Sequence, residues 1–95
     1  MTSAHAKAVL FVCEQLTASG HTVISANTDE QADPQIFAQS ETGELAFYFV
    51  RANQPAPAPA DRERFLALAA KHAVAAFYAA VTPGAPAPAV AVSPL

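Results

Sequence analysis

Asp33-Pro34-Gln35-Ile36-Phe37-Ala38-Gln39, then Ser40-Glu41-Thr42-Gly43, then Glu44-Leu45-Ala46-Phe47-Tyr48-Phe49-Val50-Arg51 is the stretch that most restricts what this chain can become. Two runs rich in aromatic and β-branched residues flank a short polar loop with a glycine, which predicts a β-hairpin. In the second run Leu45, Phe47, Phe49 and Arg51 alternate with Ala46, Tyr48 and Val50. Both faces of that strand are therefore apolar, as in the centre of a layered α/β sheet. Arg51 ends it where a strand tip meets solvent.

The rest of the chain arranges itself around the hairpin. Over residues 3–19, Ala6, Val9, Leu10, Cys13 and Leu16 recur at helical spacing, with Ser3 or Thr2 as cap and Gly20 as stop. His21-Thr22-Val23-Ile24-Ser25-Ala26 is short and β-branched and reads as a strand. Residues 27–34 are polar, close on Pro34 and read as a loop. The Pro/Ala segment 53–60 reads as an extended, stiff connection. Asp61 is the expected N-cap of a second helix whose apolar face is Phe65, Leu66, Leu68, Ala69 and Ala70, with Lys71 and His72 at its end. Residues 73–81 fit either an extension of that helix or a strand; a break near 72–75 and a strand centred on Phe77 and Tyr78 is preferred. After the turn Thr82-Pro83-Gly84 the chain continues as a Pro/Ala/Val tail, in which residues 89–92 suit a short edge strand. The expected organisation is a single α/β domain over 1–82, αβββαβ, with a mixed sheet of about four strands flanked by two helices, and a C-terminal tail over 83–95.

Composition narrows the function. The chain has 95 residues, 53% of them hydrophobic, but much of that is Ala, which buries little area. The core must lean on six Phe, two Tyr and scattered aliphatics, and homodimerisation is a natural way to cover more apolar surface. With five Lys plus Arg and a net charge of −3, the balance counts against a nucleic-acid partner, although Arg51, Arg62 and Arg64 lie close in sequence. A single cysteine, Cys13, excludes an internal disulfide, and its apolar neighbours predict a buried structural thiol. His5, His21 and His72 have no metal-ligand spacing and read as surface residues. Tyr48, Phe77 and Tyr78 read as core or dimer-interface aromatics. No run approaches the ~18–20 apolar residues of a membrane span, and the first residues lack a signal-peptide pattern. A cytoplasmic protein without cofactor is expected.

The element order, with the Asp33 and Phe49-Val50-Arg51 positions on the hairpin, resembles the core of the restriction-endonuclease-like PD-(D/E)xK nuclease superfamily. The resemblance covers residues 3–81. It implies an Asp on the second strand and a (D/E)-x-K motif on the third, two carboxylates holding a divalent cation and a lysine that stabilises developing charge. Laid on this chain, Phe49 stands in the carboxylate position and Arg51 in that of the lysine. The second-strand position falls on Asp33 or, by spacing, on Gln35, and Glu14 stands where some members place a further acid. The resemblance thus implies a degenerate, non-catalytic relative, acting through protein contact or as a homodimer. Its rivals are a metal-dependent nuclease using Asp33, Glu14 or Glu44 with Arg51, and a weak nucleic-acid binder using Arg51, Arg62 and Arg64. The double-stranded-RNA-binding domain shares the first five elements. Its second helix opens with lysines, whereas this one opens Asp61-Arg62-Glu63-Arg64.

Overall fold

The computed structural model describes residues 3–29, 32–84 and 87–95. Two helices flank a five-stranded mixed sheet in strand order β1-β2-β3-β4-β5: α1 (Ala4–Ala18), β1 (Thr22–Ala26), β2 (Ile36–Gln39), β3 (Leu45–Ala52), α2 (Pro59–Lys71), β4 (Ala75–Thr82) and β5 (Ala89–Pro94). The pairs are antiparallel except β3 with β4, which run parallel across the α2 crossover.

The hairpin forms as its pattern predicts. Gly43 takes φ +91° at the turn, where a side chain would be strained, and the Ser40 N–H donates to the Glu44 carbonyl at 2.8 Å. β3 is the middle strand, and its residues 46–50 are buried. The strand's alternation divides the core. Ala46, Tyr48 and Val50 join Val9, Val12 and Leu16 of α1 on one face. Phe47 and Phe49 join Phe65 and Ala69 of α2 on the other. Each fully buried large side chain is worth about 1.5–3 kcal/mol, which explains how an Ala-rich chain keeps a core.

Both helices end in the same hydrogen-bond pattern. Gly20 (φ +88°) donates to the Thr17 carbonyl while His21 donates to Leu16. At the end of α2, Ala73 (φ +55°) donates to Ala70 while Val74 donates to Ala69. These are Schellman ends, built once on glycine and once on alanine. The second is the break expected near 72–75, and it settles residues 75–82 as a strand.

Several expectations need correction. The sheet has five strands, not about four: residues 89–94 of the predicted tail pair with β4 from Phe77↔Pro94 to Thr82↔Ala89, because Val90 and Val92 extend the alternation opposite Val81 and Ala79. The buried stripe of α1 is His5, Ala8, Val9, Val12 and Leu16. Leu10 is exposed, since α1 is apolar around most of its circumference and periodicity could not choose the face. His5 is therefore buried rather than on the surface. α2 starts at Pro59 with Ala58 as N-cap, not Asp61; proline needs no N–H at the first helical position. Ser3 caps α1, accepting from the Ala6 N–H at 3.0 Å. Thr2, residues 30–31 of the loop and residues 85–86 of the tail lie outside the described residues.

Candidate functional site

The Asp33–Pro34 peptide bond, which is cis, leads the chain from the 27–34 loop into β2. There Asp33, Gln35, Arg51 and Arg64 come together from the loop, the position just before β2, the end of β3 and the first turns of α2. Asp33 Oδ1 accepts from Arg51 Nη2 at 3.1 Å and from Gln35 Nε2 at 2.9 Å; its Oδ2 accepts from Arg64 Nη2 at 3.0 Å. Gln35 is 1% exposed. Its amide oxygen accepts from the Val50 N–H at 2.9 Å and from Arg51 Nη1 at 3.1 Å, and its amide nitrogen also donates to the Ala32 carbonyl. Arg51 Nη1 reaches the Val50 carbonyl at 2.9 Å as well.

Phe65 organises the two cations. The guanidinium of Arg51 lies 5.2 Å, and that of Arg64 5.3 Å, from the centre of its ring. The Phe65 ring also stacks on Phe49, which is fully buried. Asp61 adds a second carboxylate to Arg64 at 3.3 Å, so two guanidinium groups meet two carboxylates and the cluster is neutral.

The remaining sequence candidates are elsewhere. Glu14 is exposed on α1, which covers the opposite face of the sheet, beside Cys13, Thr17 and Val23. Glu44 sits in the hairpin turn, at the other end of β3 from Arg51, with its N–H on the Ser40 hydroxyl at 3.1 Å. Arg62 is exposed on α2. Cys13 is half-buried, and burial pushes its thiol pKa up. Burial likewise raises the pKa of Tyr48 and of Tyr78, whose hydroxyl donates to the Gln54 carbonyl at 2.7 Å and ties the Pro/Ala segment to β4.

Chemically, the cluster holds elements together. Both Asp33 oxygens are engaged by arginines, and Phe49 offers no ligand. Among the described residues no group of three or more His, Cys, Asp or Glu is placed to hold a metal ion. A groove of about 590 Å³ opens next to the cluster, with Phe37 and Phe47 in its lining and His72 at its wall; among the described residues no Lys, Arg, Asp or Glu lines it. No described helix is long and apolar enough to cross a membrane. The part played by Phe65 was hidden in the sequence inside an ordinary helical apolar stripe.

A family model described as a domain of unknown function (DUF8840) matches residues 3–87. The chain belongs to this family. The DUF8840 match runs from the N-cap of α1 through β4, includes Asp33, Gln35, Phe49, Arg51 and Arg64, and stops before β5. A search of curated proteins finds no match.

Proposed function

We propose that this DUF8840 domain is a non-catalytic α/β protein with a restriction-endonuclease-like core, acting in the cytoplasm through contact with another protein or with a second copy of itself. The observation that carries the reading is the state of Asp33: its carboxylate is engaged by Arg51 and Arg64, while Phe49, in the position the resemblance gives to the second carboxylate, is buried against Phe65. A divalent cation at Asp33 would have to displace two guanidinium groups and would meet a benzyl ring beyond them. The α1-β1-β2-β3-α2-β4 order with β4 parallel to β3 supports the endonuclease-like core. Binding of nucleic acid is the weaker reading, because Arg51 and Arg64 are committed to carboxylates and no described cation lines the neighbouring groove.

A titration with Mn²⁺, followed residue by residue in NMR spectra, tests the proposal. Paramagnetic broadening absent from Asp33, Glu14 and Arg51 is the expected result, together with no cleavage of DNA or RNA in Mg²⁺ or Mn²⁺. Selective broadening at those three residues would overturn it and make Asp33 a metal ligand.

A further inference from the structure

The sheet ends in two strands that are guarded very differently. β1 carries an irregularity between Val23 and Ser25, a bulge of the kind that turns an edge away from new pairing. β5 has none: six consecutive residues pair with β4 without a shift. Charge does not guard it either. From Ala73 to Leu95 the chain contains no Asp, Glu, Lys or Arg.

The direction of the backbone groups on β5 follows from one bond. The Leu95 N–H donates to the Ala76 carbonyl at 3.0 Å, so position 95 faces β4. Inward and outward groups alternate along an antiparallel ladder, so Ser93, Ala91 and Ala89 also face β4. Val90, Val92 and Pro94 face outward. Pro94 has no N–H to leave unpaired, while Val90 and Val92 each present an N–H and a C=O at the outer edge. Their side chains lie opposite Val81 and Ala79, on the α1 side of the sheet, and Val92 is 47% exposed.

We infer that β5 is the edge through which two copies of this chain pair, antiparallel, about a two-fold axis passing through Ala91. This rests on the contact reading given above and names its surface and partner. In that register Val90 of one copy stands opposite Val92 of the other, twice. Both are outward-facing positions, so each pair exchanges two N–H···O bonds, and the β-branched side chains meet on the same face. Ala91, small enough to sit on the axis, meets itself. Pro88 and Pro94 fall opposite each other at both ends, where neither owes the ladder an N–H. The partner is a second copy rather than an unrelated strand because the segment is complementary to itself. The acidic residues behind the net charge of −3 also stay away from the junction, as residues 73–95 contain no Asp, Glu, Lys or Arg. The product is a continuous ten-stranded sheet with both α1 helices on one side. Its contact is shorter than a standard interface, so association is weak and depends on concentration.

Sedimentation of the full chain from ~10 μM to ~1 mM, a range that brackets weak association, is the first measurement. The expected result is a shift from monomer to dimer, lost in Val92→Lys with an unchanged circular dichroism spectrum. In a Cys13→Ser background, Ala91→Cys is expected to form an intermolecular disulfide under oxidised glutathione, and Ile24→Cys on the β1 edge is not. A wild type monomeric at ~1 mM, or a dimer that survives Val92→Lys while Ala91→Cys stays unlinked, would sink the inference. Neither outcome touches Asp33: the non-catalytic reading stands or falls separately, by the Mn²⁺ titration and the cleavage assay.

Discussion

The rings of Phe49 and Phe65 lie face to face, with centroids 4.1 Å apart and planes 13° apart. Phe49 comes from the central strand and Phe65 from the helix that crosses over it. Their stack fixes α2 on the sheet and supplies the apolar surface on which Arg51 and Arg64 rest. The two rings form a hydrophobic joint between strand and helix.

Placing a carboxylate in that joint is expected to unfold the protein rather than to create an enzyme. Phe49→Glu would bury an unpaired charge at a position with no exposure. The cost, several kcal/mol, is comparable with the ~5–15 kcal/mol total stability of a domain. Circular dichroism is expected to show loss of the cooperative transition, whereas Phe49→Leu keeps the fold at a cost of about 1–2 kcal/mol. A folded Phe49→Glu protein that cleaves nucleic acid in Mg²⁺ would contradict this.

The two arginines on Asp33 are expected to differ in weight. The Arg51 side chain is 17% exposed and that of Arg64 57%. Asp33→Ala takes the carboxylate partner from the largely buried Arg51 and an acceptor from Gln35, so urea denaturation is expected to show a loss of about 2–3 kcal/mol. Arg64→Ala breaks a solvent-screened pair and is expected to cost less than about 1 kcal/mol. Equal losses would mean that the cluster does not depend on burial.

Ala73→Gly is expected to stabilise the protein. Ala73 holds φ +55° at the end of α2, a conformation that strains an L side chain by about 1–2 kcal/mol and that glycine adopts freely. After allowing for the greater freedom of glycine in the unfolded chain, thermal or urea melts are expected to show a gain of about 0.5–1 kcal/mol. No gain would place the strain elsewhere.

Stability is expected to fall in alkali. Burial raises the pKa of Tyr48 and of Tyr78 above the ordinary value of 10.0. Above pH ~10 the unfolded chain releases both phenolic protons while the folded chain still holds them. The unfolded state then binds fewer protons and gains on the native state as pH rises through the folded pKa values. The contribution is fully present below pH ~10. Phenolate absorbance of the folded protein is expected to titrate later than that of the urea-unfolded chain. Tyr78→Phe, which also releases the Gln54 carbonyl, is expected to cost about 1 kcal/mol at neutral pH.

Much of the fold was legible because local signals agreed with one another. Gly43 between two apolar runs marked the hairpin, and double-sided apolarity in 45–50 marked the central strand. The α2–β4 junction was ambiguous for a definite reason: its turn uses Ala73 where glycine would have announced the helix end. The buried face of α1 was hidden because Leu10 and Cys13 are as apolar as Val9 and Val12. β5 showed only as a short edge strand over 89–92 inside a tail, because proline and alanine dominate 83–95 and an edge strand buries too little to leave a strong pattern. At the site, Asp33 and Arg51 were singled out by the resemblance, and spacing pointed to Gln35. The bond from Arg64 to Asp33, made across 31 residues, depends on the crossover and leaves no local trace.

That crossover also sets the order in which the sheet can assemble. β1, β2 and β3 follow one another through short links, and β4 and β5 are likewise neighbours, so each half closes by local contacts. The parallel β3–β4 seam joins them only after α2 has carried the chain across, which makes it the costliest loop to close. The seam is then the expected rate-limiting encounter, and in hydrogen exchange β4 and β5 are expected to open together, as one foldon peeling from the rest.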